Sequence, residues 1–238
     1  GALRRLVLPS RSGCGCREPE DLCQSPGQSA GYLSLTQTIR NVKDSLAQEY
    51  GVEVEDVSVM SGDNTALIQL QDLDRDGERE TAVTFFRVSE AEKPLKIYFF
   101  TRTAEDTYTV SAMVEGNGTA IYRVDYVDLT GSGCREVVVS WQMSTGVYLL
   151  GAYSLEEAMV RSLQYAASAP AGSASAQGLP DREALRATEW MTTVYDNDAL
   201  YDLDQDTRTE LAVVRVDKAG HNSAGELHGR REGTVLVR

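Results

Sequence analysis

The segment QDLDRDGERE, residues 71–80, concentrates the residue types in this sequence that bind metal ions. It spaces four carboxylates and one glycine as a short metal-binding loop does: Asp72, Asp74, Asp76, Gly77 and Glu80. Two carboxylates about 4 Å apart repel by roughly 1 kcal/mol in bulk water and by roughly 4 kcal/mol near a protein surface. Calcium (Ca2+) would offset this repulsion, because it takes about six to eight oxygen ligands and the glycine permits the bend around it.

The spacing differs from that of an EF-hand. An EF-hand has a glutamate at its twelfth position and a helix on each side. Here the twelfth position is Val83, the glutamate at the ninth is Glu80, and the residues that follow are typical of a strand. The sequence therefore predicts a β-hairpin loop of the form D-x-D-x-D-G-x-x-E.

The pattern recurs twice more, in VDLTGSGCREVVVSW and in YDLDQDTRTELAVVR. We name the copies the first loop (72–80), the second loop (128–136) and the third loop (202–210). Each begins with Asp-Leu, has a glutamate eight residues after that aspartate, and leads into an apolar run. The repetition predicts a strand-loop-strand unit that is used three times.

The starting aspartates of the three loops lie 56 and 74 residues apart. The longer interval contains a small-residue insertion, 165–180, which we expect to be flexible. Without it the period is about 60 residues, roughly the size of a four-stranded blade with long loops.

Strand-like runs fall in two groups of four, separated by turn residues. The first group is TALIQL, TAVTFFRV, LKIYFF and TYTVSAMV, and the second is AIYRVDYV, EVVVSW, GVYLLGAY and a weaker AMVRSLQY. We therefore expect a mainly β fold.

One amphipathic helix is predicted before these runs, over about 35–50. Its apolar residues recur at helical spacing: Leu35, Ile39, Val42, Leu46 and Tyr50. Ser34 and Gln37 form a capping-box pair at its start, and Gly51 supplies a stop. We expect its apolar stripe to cover a sheet.

The three loops and their flanking strands resemble the FG-GAP and VCBS-type repeats of extracellular β-propellers, including those of bacterial lipoproteins. The resemblance covers about residues 60–238. It implies an incomplete β-propeller-like array of four-stranded blades, stabilised by Ca2+.

The resemblance also implies two sets of metal ligands. In the first loop they are Asp72, Asp74, Asp76 and Glu80, with Glu78 giving its backbone carbonyl. In the third loop they are Asp202, Asp204, Asp206 and Glu210, with Thr207 in place of the glycine.

The second loop departs most from the pattern, since Thr130 and Ser132 replace two carboxylates and leave Asp128 and Glu136. We expect a metal-free copy whose hydroxyl groups hydrogen-bond the same turn. For all three loops the alternative is that the acids cap turns and keep a sheet edge soluble.

The resulting domain organisation has six parts. They are a signal remnant or lipoprotein-like tether (1–32), the helix (33–51), a first blade-like repeat (52–116), a second (117–164), the insertion (165–180) and a truncated third repeat (181–238).

The N-terminal segment GALRRLVLPSRSGCGC has the arginines and the Ser-Gly-Cys of a bacterial lipoprotein signal. Its apolar part, 6–8, is shorter than the roughly 7–15 residues of a signal core. If it is a signal, Cys14 or Cys16 would carry the lipid; a disordered or truncated N-terminus is the alternative.

The cysteines suggest no metal site. Cys14, Cys16 and Cys23 lack a nearby fourth ligand for zinc and could form a disulfide if the protein is exported. We expect Cys134 to be a small buried residue.

The composition excludes two partner classes. A net charge of -13 leaves no surplus of cations for nucleic acid or for a purely electrostatic hold on a membrane. No P-loop or His-Glu-x-x-His motif is present. We expect a non-catalytic, lipid-anchored surface protein outside the bacterial cytoplasm that binds a protein or glycan. The alternative is an accessory or incomplete part of a carbohydrate-active or other hydrolytic enzyme.

Overall fold

The chain is mainly β, as the sequence predicts. A computed structural model describes residues 29–168, 179–195, 197–201, 210–216, 222–229 and 235–237. Within these ranges the strands form three antiparallel sheets, and no closed barrel or propeller is found.

Sheet 1 contains five strands: β1 (Glu55–Asp56), β2 (Ile68–Gln71), β3 (Thr81–Arg87), β4 (Leu95–Arg102) and β5 (Tyr108–Gly116). Both β1 and β2 pair with β3, which continues through β4 to β5. Each of the four predicted runs of the first group overlaps one of the strands β2 to β5, so this group is confirmed, although β2 contains only the second half of TALIQL.

Sheet 2 contains four strands in sequence order: β6 (Ala120–Val127), β7 (Glu136–Ser144), β8 (Val147–Ser154) and β9 (Thr188–Tyr195). Sheet 3 is also sequential, with β10 (Asn197–Tyr201), β11 (Glu210–Val216), β12 (Asn222–Gly229) and β13 (Val235–Val237). Each sheet therefore contains one of the three acidic loops in a hairpin between two of its strands.

The predicted strand AMVRSLQY is wrong, because residues 158–165 lie in helix α2 (Glu156–Ala167). Ala158 and Ser162, four residues apart, are buried on one side of the helix, which is a helical period. Glu156 and Glu157 favour its first turn, where the helix dipole is positive. The fourth strand of sheet 2 is instead β9, which follows the insertion. Most of the insertion, 169–178, lies outside the described residues.

Helix α1 (Ala30–Tyr50) is the predicted amphipathic helix, but it begins earlier than predicted. Ser29, not Ser34, is its N-cap and accepts a hydrogen bond from the Tyr32 N–H. The Ser34 hydroxyl instead accepts the N–H of Tyr108 in sheet 1, at 2.8 Å. Gly51 ends the helix in the left-handed region, at a φ of 69°, as predicted.

Two apolar clusters cover opposite faces of sheet 1. One lies between sheets 1 and 2 and includes Phe85, Val139 and Trp141. The other lies between sheet 1 and α1, where Val42 and Leu46 are buried. The predicted covering role of the helix is therefore confirmed.

A short helix, α3 (Arg182–Leu185), ties the chain back to sheet 1 before β9 joins sheet 2. The Ala187 N–H donates to the Met113 carbonyl at 2.9 Å. Glu115 on β5 is buried beside Lys96, at 2.6 Å, and also pairs with Arg186 at 3.3 Å. Removing Glu115 would leave the buried charge of Lys96 without its carboxylate partner, so this junction depends on Glu115.

We expect Leu46→Ala to lower the free energy of unfolding by about 2–4 kcal/mol, because it leaves a cavity between α1 and sheet 1. Leu33→Ala is the matched control, since Leu33 is 55% exposed on the same helix and its change should stay within about 0.5 kcal/mol. Urea unfolding at fixed Ca2+ concentration measures both. Equal losses in the two variants would contradict the packing role of α1.

Candidate metal site in the first loop

The first loop joins β2 to β3 at the end of a hairpin. Gln71 pairs with Thr81 across the two strands. Asp72 and Glu80 are the next residues toward the tip of the hairpin. The strand pairing therefore brings them close together although they lie eight positions apart in sequence. The hairpin register is what positions the two ends of the predicted ligand set.

Backbone bends turn the middle of the loop inward. Gly77 has a φ of 97° and its N–H donates to Asp72 Oδ2 at 3.0 Å. The Asp76 N–H donates to Asp74 Oδ1 at 3.2 Å, and the Glu78 N–H donates to Asp76 Oδ1 at 2.7 Å. Each aspartate thus fixes the backbone two or more residues ahead of it and keeps a second oxygen for another partner.

The structure brings together Asp72, Asp74, Asp76 and Glu80. One oxygen from each lies within 4.8 Å of the other three, so the group could hold a metal ion. The side chain of Glu78 is not in this group and pairs with Arg102 at 3.2 Å. The use of its backbone carbonyl remains a prediction.

Two oxygens of the group lack a hydrogen-bond donor. Asp72 Oδ1 and Glu80 Oε2 are buried and accept no hydrogen bond from the described residues. Burial raises the pKa of Glu80, and the charge of Asp74 raises it further, although backbone hydrogen bonds act in the opposite direction. A buried acceptor without a partner is costly, and a bound cation would satisfy both oxygens, so the donor set fits a metal.

The second loop joins β6 to β7 and repeats the same backbone frame. Asp128 Oδ2 accepts the Gly133 N–H at 2.9 Å, as Asp72 accepts that of Gly77. Thr130 Oγ1 accepts the Ser132 N–H at 3.3 Å. Ser132 Oγ accepts the N–H of the residue two positions further on, at 3.2 Å. The hydroxyls of this loop therefore occupy the hydrogen-bonding positions of Asp74 and Asp76.

The two loops differ in how these side chains meet. Thr130 Oγ1 is 2.9 Å from Ser132 Oγ and 3.4 Å from Glu136 Oε1. Hydroxyl protons can make these links, whereas ionised carboxylates are acceptors only. The predicted hydroxyl hydrogen bonds are thus present in the second loop, and its lack of metal remains a prediction.

Glu136 ends the second loop in an apolar setting and is 5% exposed. It accepts the Leu129 N–H at 2.7 Å. Burial, followed by the charge of Asp128, raises the pKa of Glu136 to about 7, although its hydrogen bonds act in the opposite direction. Near neutral pH the carboxyl group is therefore partly protonated.

The remaining predicted site residues are described only in part. Asp202, Asp204 and Asp206 lie outside the described residues, as do Cys14 and Cys16. Glu210 is the first residue of β11 and pairs with Tyr201 of β10, so the backbone of a hairpin also flanks the third loop.

The prediction that Cys134 is buried is wrong, because it is exposed with a free thiol. It lies in the second loop before β7 begins, where the backbone turns and the side chain does not join a sheet face. Burial of part of the side chain and the nearby carboxylates, Glu156 and Asp74 first among them, raise the pKa of the thiol.

The first and second loops are in contact, which the sequence did not predict. The Arg135 N–H donates to the Leu73 carbonyl at 2.7 Å. Arg75 lies 3.6 Å from Asp128. Alignment of the copies treats each loop separately and contains no signal for a contact between them.

Comparisons with known proteins assign the chain to no family. No family model matches the chain, and no curated protein or solved structure gives a significant match. Among the described helices, none is both long and apolar enough to span a membrane. The resemblance to FG-GAP and VCBS-type repeats therefore rests on the loops and their flanking strands.

We expect Glu136→Gln to flatten the pH dependence of stability. The ordinary pKa of this carboxyl is 4.5 and the folded value is about 7, so the folded state holds a proton that the unfolded chain releases. The resulting stability is full below about pH 4.5 and is lost as the pH rises through about 7. Between pH 5 and 8 the wild type should lose roughly 1–3 kcal/mol more than the variant.

Urea unfolding in EDTA at both pH values measures this difference without bound cation. Glu90→Gln, a change at an exposed glutamate after β3, is the matched control and should behave as the wild type. Parallel pH profiles for wild type and Glu136→Gln would contradict the buried, protonated carboxyl.

Proposed function

We propose that the first loop binds Ca2+ and that the chain is a non-catalytic surface protein outside the bacterial cytoplasm, built from calcium-stabilised, propeller-type repeats that bind a protein or glycan. The observation that carries the proposal is the convergence of Asp72, Asp74, Asp76 and Glu80 in one hairpin loop.

The comparison of the first two loops supports a metal in the first. Their backbone frames match, yet Thr130 and Ser132 supply hydroxyl protons in one loop where Asp74 and Asp76 supply only negative charge in the other. A cation in the first loop would take the linking role that those protons have in the second. The orphaned oxygens of Asp72 and Glu80 support the same conclusion.

The donor chemistry favours Ca2+ over other metals. The group consists entirely of carboxylates, and hard oxygen ligands suit Ca2+ and Mg2+ rather than Zn2+. Ca2+ accepts irregular shells of about six to eight oxygens, whereas Mg2+ needs near-ideal octahedral geometry and retains several waters. A nine-residue loop whose four carboxylates converge on one point fits the less demanding ion.

When bound, Ca2+ supplies a charge that holds the four carboxylates together. The chain's own residues do the positioning: Gly77 makes the bend, Asp74 and Asp76 hold the turn, and the pairing of Gln71 with Thr81 closes the hairpin. Because the ion binds the folded loop and not the unfolded chain, it stabilises the fold by an amount that rises with the logarithm of its concentration above the dissociation constant.

The repeat architecture supports an open, propeller-like array. In all three sheets the acidic loop lies between two consecutive, antiparallel strands: β2 and β3, β6 and β7, β10 and β11. Sheets 1 and 2 pack face to face through a common apolar core. If these sheets are successive blades, their acidic loops would all lie at one end of the array.

The proposed calcium site supports the proposed location outside the cytoplasm. Ca2+ sites of extracellular modules have dissociation constants of about 0.1–1 mM, which suits a loop with an open, solvent-facing side. Cys14 or Cys16 would anchor the chain to a membrane through a lipid, and the loop ends of the blades would contact the protein or glycan ligand.

Calcium titration tests the site. We expect about 10 mM CaCl2 to raise the melting temperature of the wild type by roughly 3–8 °C, given a dissociation constant of about 0.1–1 mM. Asp74→Ala should remove most of this shift, because it deletes a ligand and a turn acceptor. Differential scanning fluorimetry and calorimetry measure the shift and the affinity.

Asp63→Ala is the matched control, since Asp63 is exposed and lies outside the loop. MgCl2 at the same concentration should give a smaller shift. The proposal fails if CaCl2 leaves the wild type unchanged or if Asp74→Ala responds as strongly as Asp63→Ala.

Metabolic labelling with a radioactive fatty acid tests the anchor separately. In a bacterial host that processes lipoproteins, the wild type should incorporate label, and either Cys14→Ala or Cys16→Ala should abolish it. Cys134→Ala should retain full labelling. An unlabelled wild type would contradict the lipid anchor and leave the calcium proposal intact.

A further inference from the structure

The backbone of the first loop is held by the second loop. Leu73 lies between two members of the carboxylate group, Asp72 and Asp74, and its carbonyl accepts the Arg135 N–H at 2.7 Å. The Leu73 side chain is 5% exposed and belongs to the core between sheets 1 and 2. The second loop therefore fixes the chain at the point from which two of the carboxylates extend.

A second contact joins the loops through charge. Arg75 lies 3.6 Å from Asp128, whose side chain is only 13% exposed. Asp128 is itself fixed, because it accepts the N–H groups of Gly131 and Gly133 at 2.7 and 2.9 Å. A rigid partner thus holds the guanidinium of a residue in the middle of the first loop.

Arg75 adopts a backbone conformation that needs such support. Its φ is 61°, in the left-handed region that non-glycine residues rarely enter. Residues persist in that region when their surroundings hold them there. The ion pair with Asp128 favours this conformation, since it attracts the far end of the side chain toward the second loop.

We propose that the second loop positions the first loop for cation binding, so that Ca2+ occupancy of the first loop and order in the second are thermodynamically coupled. This inference rests on the proposed calcium site. The four carboxylates repel one another, so the first loop is held less tightly when no cation is bound. The repulsion acts on the segment that carries Leu73 and Arg75 and so weakens both contacts with the second loop.

The coupling acts equally in the other direction. A loop already held in its binding conformation loses less conformational freedom on binding, so its affinity is higher. Thermodynamic linkage requires the reverse effect to be the same size. The second loop, with fewer carboxylates, thereby has a function as a brace for the first, with Asp128 and Arg135 as positioning residues.

Hydrogen exchange of the full chain tests the coupling at single amides. Saturating CaCl2 should slow exchange of the Arg135 amide at least several-fold, although no proposed ligand lies in the second loop. The control is the Thr119 amide, which donates to Gln142 at the opposite end of sheet 2 and should not change. Exchange that slows equally at both amides would indicate general stabilisation and would overturn the coupling.

A double-mutant cycle tests the ion pair by calorimetric titration with CaCl2. If Arg75 and Asp128 acted only as distant charges, Arg75→Gln would raise the affinity, Asp128→Asn would lower it, and the effects would add. We expect instead that Arg75→Gln lowers the affinity about two- to five-fold, a size typical of exposed ion pairs, and that Arg75→Lys restores most of it. In the Asp128→Asn background, Arg75→Gln should no longer lower the affinity.

The outcomes separate the two proposals. No binding of CaCl2 by the wild type would overturn the calcium site and the coupling with it. Binding by the wild type with unchanged exchange at Arg135 and an additive cycle would overturn the coupling alone. Circular dichroism of each variant without Ca2+ establishes that the fold is retained.

Discussion

The apolar core between sheets 1 and 2 is the interaction on which the rest of the described structure depends. Phe85 and Trp141, from opposite sides of that core, are each 1% exposed. Burial of such side chains contributes roughly 25 cal/mol per Å2 of apolar surface. The packing fixes β3 and β7 relative to each other, and the loops that precede these strands consequently lie side by side, as the contact from Arg135 to Leu73 demonstrates.

The first two loops show how one backbone frame can be closed in two ways. In the second loop, Thr130 and Ser132 supply protons, so hydrogen bonds link the side chains of the turn to one another. In the first loop, carboxylates take those positions and only acceptors face one another. Exchange of two aspartates for hydroxyl residues therefore changes how the side chains meet while most backbone hydrogen bonds are kept.

The features that depend on residues near one another in sequence were predicted correctly. The period of α1, the stop at Gly51 and the hairpin loop of Asp72 to Glu80 depend on neighbouring residues, and the structure contains all three. The strand assigned to 158–165 failed because a short apolar run fits either period, and tertiary packing decided for a helix. The contacts between the loops could not be predicted from the sequence, since Leu73 and Arg135 meet only through the packing of two sheets.

Helix α1 has a consequence for how the proposed array can grow. In a ring of blades every sheet has a neighbouring sheet on both faces. Here α1 covers the face of sheet 1 that lies opposite sheet 2, and its own residue Val42 is 1% exposed. A further sheet could reach that face only by displacing the helix. In the proposed array, blades would therefore be added to sheet 1 from one side, with the helix in the place of the terminal cap that linear repeat proteins require.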